Sequence, residues 1–182
     1  ELIDLDQLVP SIGFACYTPN MKGTKTSNGD YAEKDSEKRV NTKKIRGDVV
    51  ANYARLGENR QSIAFCVNIQ HSIDMANEFA LAGYNVAQLD GYTHKELRRQ
   101  IIDDYRSGLV QIIFNVGVLV KGFDSEVDCV LDCAPTKSIS RFIQRLGRGM
   151  RLSKKYDNLK ILDFAGNMLR LGHPEDYNPA DH

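Results

Sequence analysis

The spacing of hydrophobic residues changes repeatedly between residues 61 and 165, and this alternation limits the fold more than any other feature of the chain. Short, mostly apolar runs typical of buried strands alternate with longer stretches whose apolar residues recur at helical spacing. Parallel strands that are buried on both faces and connected by helices produce this pattern. We therefore predict an α/β fold, a doubly wound and mostly parallel sheet with right-handed crossovers. The predicted strands are QSIAFCV, NVAQL, VQIIFNV, VDCVLDC and LKILDFA, and the predicted helices are IQHSIDMANEFALAG, HKELRRQIIDDYRSG and SISRFIQRLGRG.

The residues before this series differ in composition. Residues 20–47 are polar and rich in Lys, Asn, Thr and Gly, which predicts a linker with one short helix that starts near Asp30 and resumes after Gly47. An apolar stripe at helical spacing follows, and we expect it to pack on the body of the protein. Its members are Val49, Val50, Tyr53 and Leu56.

Three segments follow from these patterns. We predict a connecting segment with a strand and a helix at residues 1–58, the main lobe at 59–166 and a tail at 167–182. The tail has no periodicity and carries no functional interpretation.

Charge, hydropathy and cysteine content exclude several classes of protein. The 24 Lys and Arg residues balance 24 Asp and Glu residues, so the chain is neither a basic tail nor a disordered acidic segment. It contains no apolar run of about 18 residues that could span a membrane, and its start lacks the features of a signal peptide. We therefore expect a folded cytoplasmic protein without a membrane partner.

The four cysteines offer no Cys-x-x-Cys pattern, so we expect reduced core thiols and no metal site.

The run QRLGRGMR concentrates donors beside the last predicted helix. At helical spacing Gln144, Arg148 and Arg151 project from one face, and Arg141 and Arg145 form a second pair. Like charges this close repel each other, so the arrangement suits a multiply charged anion or a carboxylate from another surface. The alternative is a solvated basic helix end, favoured by the helix dipole and the two glycines. The run alone does not decide between them.

A second run, FNVGVLVKGFD, leads from a predicted strand into the crevice where parallel sheets bind ligands. Gly117 and Gly122 let the backbone approach a ligand closely, and Asp124 places a carboxylate beside Lys121. This favours a nucleotide-binding loop. The alternative is that the glycines only turn the chain and Lys121 pairs with Asp124 on the surface.

The motifs of a complete nucleotide site are absent from the sequence. The run GTKT at residues 23–26 lacks the Gly-Lys pair of a phosphate-binding loop. There is no Asp-Glu pair to hold Mg²⁺, and Leu152 stands where a dinucleotide fingerprint needs a small residue. The chain therefore has residues suited to stabilising phosphoryl charge but not the residues that bind the phosphates.

These motifs, in this order, resemble those of superfamily 2 helicases. QRLGRGMR resembles motif VI, NVGVLVKGFD resembles motif V, and SIAFCVNIQHS resembles motif IV. LDGYTHKELRRQIIDDYRSG resembles the segment between motifs IV and V. The resemblance covers about residues 60–166, and APTKSISRFIQRLGRGMRL followed by LDFAGN is most similar to RadD-like DEAD/DEAH-type helicases of bacteria and phages. Gln144 replaces the DEAD-box His, and residues 120–124 depart from the DEAD-box motif V.

The resemblance implies the second of two RecA-like lobes, with ATP and Mg²⁺ bound mainly by a first lobe of the same polypeptide. Arg148 and Arg151 would be arginine fingers, and Gln144 would contact the γ-phosphate or the attacking water. Gly122 and Asp124 would contact the nucleotide. We therefore expect a motor lobe of a nucleic-acid-dependent ATPase, a helicase or translocase, that binds no cofactor and hydrolyses no ATP by itself.

The same resemblance implies contacts with nucleic acid, with DNA favoured over RNA. Five residues are candidates for strand contact: Asn68, His71, Gly91, Asn115 and Lys121. For His71 the alternative is a residue satisfied at the start of a helix. Arg98 and Arg99 are expected to pair with Asp103 and Asp104 or to brace the motif. Two other functions stay open: a non-catalytic RecA-like module that binds nucleic acid or protein, and a nucleotide-sugar or dinucleotide binder.

Overall fold

The computed structural model describes residues 9–118, 123, 125–147 and 155–177. Its strands are β1 (Ser11–Ala15), β2 (Thr26–Ser27), β3 (Asp30–Tyr31), β4 (Ser62–Phe65), β5 (Val86–Leu89), β6 (Ile112–Asn115), β7 (Cys129–Asp132) and β8 (Leu159–Asp163). Its helices are α1 (Glu33–Val40), α2 (Lys43–Leu56), α3 (Ile69–Leu81), α4 (Lys95–Arg106), α5 (Ile139–Leu146) and α6 (Asn167–Leu171), followed by a 3₁₀ turn at Pro174–Asp176.

Six of these strands form one parallel sheet in the order β1-β8-β7-β4-β6-β5, and β2 and β3 pair as a small antiparallel hairpin. The strands of the sheet other than β1 and β5, which lie at its edges, are buried along their whole length. Such burial is expected when helices cover both faces of a parallel sheet. All five predicted strands are present.

Side chains of the sheet alternate between two hydrophobic clusters, as the two-residue period of a strand requires. Ile63 and Phe65 belong to one cluster, and Ala64 and Cys66 belong to the other. Helices α4 and α5 complete the first cluster with Ile101, Tyr105, Phe142 and Leu146. Helices α2 and α3 complete the second with Val49, Tyr53, Met75 and Phe79. The core therefore lies on both faces of the sheet, which confirms the predicted doubly wound α/β fold.

The N-terminal residues contain more structure than the predicted linker. Asp30 lies in β3, so the short helix starts at Glu33 instead of near Asp30. Helix α2 begins after Thr42, whose side chain accepts a hydrogen bond from Ile45 N, and it runs through Gly47 without a break. A helical glycine costs about 1 kcal/mol relative to alanine. Burial of the predicted apolar stripe against the sheet offsets this cost, since Val49 and Tyr53 are buried and Val50 and Leu56 pack beside them.

Edge strand β1 belongs to the same sheet as the main lobe. Ser11 pairs with Leu159 and Ala15 pairs with Asp163 in parallel register along β8. At the other end of the chain, Glu175 accepts hydrogen bonds from the backbone and hydroxyl of Ser11. The division at residues 58 and 166 stays a prediction.

Two glycines end helices just before the chain enters the next strand. Gly83 follows α3 with φ of 93°, and Gly108 follows α4 with φ of 84°. Side chains with a Cβ rarely adopt this left-handed conformation, so glycine lets the chain reverse into the next strand.

Three of the four cysteines, Cys66, Cys129 and Cys133, are buried, and none of the four is in a disulfide. Burial raises the pKa of the Cys129 thiol to about 12, so this thiol stays protonated at neutral pH.

In the part of the chain that the structure describes, no group of three or more His, Cys, Asp or Glu side chains could hold a metal ion. Among the described helices, none has the length and apolar character needed to cross a bilayer.

Candidate functional site

A cleft of about 560 Å³ opens beyond the carboxyl ends of β4 and β6. The residues that follow these two strands form one part of its wall, and α4 and α5 form another part. This is the edge at which open parallel sheets bind ligands. The long polar side chains in its lining are Arg98, Arg141, Gln144 and Arg145.

Helix α5 carries three of these four side chains. Ser138 caps the helix by accepting a hydrogen bond from Arg141 N, and Phe142 and Leu146 are buried on its inner side. Gln144 is exposed and lines the cleft. The orientation of α5 therefore leaves the Gln144 amide available to a ligand, as the predicted role requires.

Arg145 is held by the end of β7. Its guanidinium lies 3.2 Å from Asp132 Oδ1 and donates to the Ala134 carbonyl at 2.7 Å. The Arg145 side chain is 12% exposed and that of Asp132 is 0% exposed. Burial raises the pKa of the Asp132 carboxyl, while the Arg145 charge and a hydrogen bond from Asn167 act in the opposite direction. This buried ion pair fixes α5 to the sheet.

Arg141 also has a carboxylate partner, because Asp30 Oδ2 lies 2.9 Å from its guanidinium. The second arginine pair of the sequence pattern, Arg141 and Arg145, is therefore engaged in contacts within the lobe. Gln144 lies between the two on the same helix and faces the cleft. This carboxylate partner could not be predicted for Arg141, since Asp30 is 111 residues away along the chain.

A second buried acid, Asp163, lies at the end of β8. Its two carboxylate oxygens accept hydrogen bonds of 2.8 Å from the backbone N–H groups of Ala165 and Met168. Burial, and next the nearby Asp132 charge, raise the pKa of Asp163 to about 6. The carboxyl edge beneath α5 thus contains two acids with raised pKa values and one guanidinium between the helix and the sheet.

The first two candidates for strand contact lie at the start of α3. Asn68 caps the helix, its Oδ1 accepting from His71 N at 2.9 Å, and its Nδ2 donates to Glu37 at 2.7 Å. His71 is only 1% exposed, and its Nδ1 accepts from Val67 N at 3.2 Å. Burial lowers the pKa of His71 to about 4, so the ring is neutral. His71 therefore occupies the interior helix-start position of the alternative interpretation.

Asn115 lies at the end of β6 and is fully buried. Its side-chain amide donates to the Ala64 carbonyl at 2.9 Å, which ties β6 to β4 at the floor of the cleft. Its neighbour in the sequence pattern, Gly117, has φ of 69° and lines the cleft. That left-handed conformation favours glycine, so the backbone turns into the cleft there.

The exposed Gly91 lies in a turn that hydrogen bonds hold in one shape. Asp90 accepts from Tyr92 N at 2.7 Å, and Asp90 N donates to the Thr93 hydroxyl at 3.0 Å. The turn presents Tyr92 with 89% of its surface exposed. Tyr92 could not be predicted as a site residue, because an aromatic residue in a short loop has no periodic pattern to mark it.

Arg98 braces this turn, which was one of the two expectations for it; the other, an ion pair with Asp103, is not found in the described part of the chain. Its guanidinium donates to the Asp90 carbonyl at 3.1 Å and lines the cleft. Asp103 instead pairs with Arg106, one helical turn away, at 3.6 Å. Arg98 Nε is buried and has no hydrogen-bond partner among the described residues.

The remaining candidates, Lys121, Gly122, Asp124, Arg148 and Arg151, lie outside the described residues. Helix α5 ends at Leu146, followed by Gly147 as its C-cap.

Residues 46–153 match the family described as the helicase conserved C-terminal domain, a span of more than half the chain. The chain belongs to this helicase family. A 51.5 kDa protein of Lactococcus phage (isolate 7-9) is 28% identical over 179 residues, covering 97% of this chain and 39% of the phage protein. The putative ATP-dependent helicase IRC3 of Saccharomyces cerevisiae is 28% identical over 151 residues, covering 81% of this chain and 22% of IRC3. The chain thus spans well under half the length of both relatives.

Solved helicase structures share the fold. S. cerevisiae Dbp5 bound to RNA and ADP BeF3 superposes with a TM-score of 0.61 at 19% identity, covering 93% of this chain and 39% of Dbp5. The E. coli DEAD-box protein SrmB, bound to RraA, superposes with a TM-score of 0.59 at 22% identity, covering 70% of this chain and 75% of SrmB. The family match and the shared fold together confirm the predicted RecA-like C-terminal lobe of a helicase.

Proposed function

We propose that this helicase C-terminal domain is the second motor lobe of a nucleic-acid-dependent ATPase that unwinds or translocates along a strand. The observation that supports this best is the exposed Gln144 in the cleft, on a helix that Arg145 and Asp132 fix to the sheet. Arg148 follows that helix directly in the sequence. A rigid helix that leads into an arginine-rich segment suits a device that delivers guanidinium groups to a phosphate.

Phosphoryl transfer depends mainly on positioning and on stabilising charge, so Arg148 and Arg151 act as arginine fingers in this proposal. Such residues raise the hydrolysis rate by roughly 10³ to 10⁵. Gln144 contacts the γ-phosphate or the attacking water. Because the fingers and the phosphates belong to different lobes, hydrolysis proceeds only when the lobes close, and a strand bound across both lobes favours closure.

The described lining of the cleft suits the phosphates of ATP but not its Mg²⁺ ion. The lining contains guanidinium groups and the Gln144 amide, but no Asp or Glu among the described residues. Mg²⁺ needs oxygen ligands such as carboxylates, so we assign Mg²⁺ and most contacts with ATP to a first lobe of the same polypeptide. Gly122 and Asp124 complete the nucleotide contacts from this lobe.

For the strand, we propose direct contacts from Asn68, Lys121 and the Gly91 turn. His71 and Asn115 are buried, so in this proposal they do not contact the strand but hold the ends of β4 and β6 in place. Tyr92 adds an exposed ring on which a base can stack. The balanced net charge of the chain is consistent with a narrow track of phosphate contacts that does not read sequence. DNA as the substrate, a cytoplasmic location and a RadD-like subfamily stay predictions.

The proposal is tested by comparing the chain alone with the full-length polypeptide that contains it. We expect no ATP hydrolysis above background from residues 1–182 and hydrolysis stimulated by single strands from the full-length protein. Turnover by the isolated chain would contradict the division of the active site between two lobes. A full-length protein that binds strands but never hydrolyses ATP would support the alternative, a non-catalytic interaction module.

A further inference from the structure

The segment from Tyr17 to Thr42 contacts the candidate site at two separate places. It contains the β2–β3 hairpin and α1, and it joins edge strand β1 to α2. Hydrogen bonds within the segment hold its parts together: Arg39 donates to the Lys22 carbonyl at 2.9 Å, and Ala32 N donates to the Lys25 carbonyl at 2.8 Å. These hydrogen bonds connect α1 and the end of the hairpin to the residues that precede the hairpin.

At the first place, Asp30 fixes the start of α5. Its carboxylate accepts hydrogen bonds from the Thr136 hydroxyl at 2.6 Å and from Lys137 N at 2.8 Å, and it pairs with Arg141 at 2.9 Å. Asp30 is 7% exposed. Although burial alone would raise its pKa, these partners hold the pKa of Asp30 below its usual value. The ionised carboxylate therefore ties the segment to the helix that carries Gln144.

At the second place, Glu37 holds the start of α3. One of its carboxylate oxygens accepts from the Asn68 amide at 2.7 Å, and the other accepts from Asn41 at 3.2 Å. Asn41 in turn donates to Asp74 of α3 at 2.8 Å. The proposed strand contact Asn68 is thus oriented by a residue of the same segment that fixes α5.

A segment that binds two loops at the same edge of a sheet fixes the distance between them. A change in the contacts at one loop alters the free energy of the conformations at the other, and this linkage is reciprocal. We propose that Asp30 and Glu37 are positioning residues through which this segment links strand binding at Asn68 to the placement of Gln144 on α5. The inference rests on the proposed function and extends it to a segment outside the helicase motifs.

The test uses Asp30→Asn and Glu37→Gln in the full-length protein, since both variants keep the shape of the side chain and remove the charge. Asp35→Asn is the matched control, because Asp35 lies in the same segment and, among the described residues, accepts a side-chain hydrogen bond only from Lys25 N, within the segment, at 3.2 Å. Steady-state ATPase is measured with and without saturating single strand, well below the unfolding temperature of every variant. Strand Kd is measured by fluorescence anisotropy.

For Asp30→Asn we expect kcat with strand to fall by about tenfold or more while KM for ATP changes by less than about threefold. For Glu37→Gln we expect the ratio of stimulated to basal turnover to fall by about threefold or more at saturating strand. The Asp35→Asn variant should match wild type in both quantities. A purely structural role would lower the unfolding temperature and leave kcat and the ratio unchanged.

Wild-type values of kcat in Asp30→Asn, or of the stimulation ratio in Glu37→Gln, would overturn this inference while leaving the proposed function intact. A wild-type protein without strand-stimulated hydrolysis would overturn the proposed function and the inference together.

Discussion

Removal of the Arg145 guanidinium is the perturbation whose cost can be estimated best from the structure. Arg145→Ala leaves the fully buried Asp132 carboxylate without its ionic partner, with Asn167 as a remaining donor at 2.6 Å. It also deprives the Ala134 carbonyl of a 2.7 Å hydrogen bond. Breaking a buried ion pair by removing one partner costs about 3–5 kcal/mol, so we expect the free energy of unfolding to fall by this amount at neutral pH.

The cost should depend on pH, with a sign that follows from Asp132. Burial already raises the pKa of this carboxyl in the folded state, and loss of Arg145 raises it further. The stability penalty of the raised pKa is absent below the unfolded-state pKa and grows as the pH rises toward the folded-state pKa. Arg145→Ala should therefore destabilise the protein less near pH 5 than near pH 8.

Urea denaturation of the chain, followed by circular dichroism at both pH values, measures this effect. Arg99→Ala is the control, because Arg99 is exposed on α4 and such substitutions change stability by about 0.5 kcal/mol or less. Adding Asp132→Asn to Arg145→Ala removes the unpaired charge, so the double variant should recover part of the loss and lose the part of the pH dependence that comes from Asp132. A cost below about 1 kcal/mol, or the same cost at both pH values, would refute the account of this ion pair.

Two further predictions concern the exposed turn and the second buried acid. The chain contains no Trp, so Tyr92→Trp introduces a single tryptophan, whose fluorescence a bound single strand should quench by stacking. Tyr92→Ala should weaken strand binding by about 1–3 kcal/mol. Unquenched tryptophan fluorescence in a complex with bound strand would exclude the stacking role. The Asp163 carboxyl should titrate near pH 6 in a carbon-13 NMR titration, since burial and Asp132 raise its pKa to about 6. Because the folded-state pKa is the higher one, its contribution to stability should decline as the pH rises from its usual pKa toward about 6 and stay constant above. A midpoint near the usual pKa of an exposed aspartate would contradict the assigned burial.

The sheet and its helices could be predicted because their signals are local. A buried strand such as β4 is a short apolar run, and a glycine in a left-handed conformation, such as Gly83, ends the preceding helix. The boundaries near Asp30 and Gly47 were wrong for a different reason. A two-residue strand has no period, and tertiary burial of Tyr53 outweighs the weak helix propensity of a glycine.

The candidate site could be predicted in its motifs but not in its contacts. Gln144 was selected from spacing, and the structure places it exposed in the cleft. The partners of Arg141 and Arg145 depend on residues brought together by the fold: Asp30 is 111 positions away and Asp132 lies on a different element. Residue type alone also did not reveal that His71 and Asn115 are buried, because a polar residue with an internal partner has the same letter as an exposed one.

The proposed function requires that the arginines after α5 act on the phosphate and not on the strand. Arg148→Ala and Arg151→Ala in the full-length protein separate these two roles when kcat and strand Kd are measured on the same preparations. We expect kcat to fall by about 100-fold or more while strand Kd stays within about threefold of wild type. A variant with weakened strand binding and unchanged kcat would contradict it, because those arginines would then be contacts with the strand backbone.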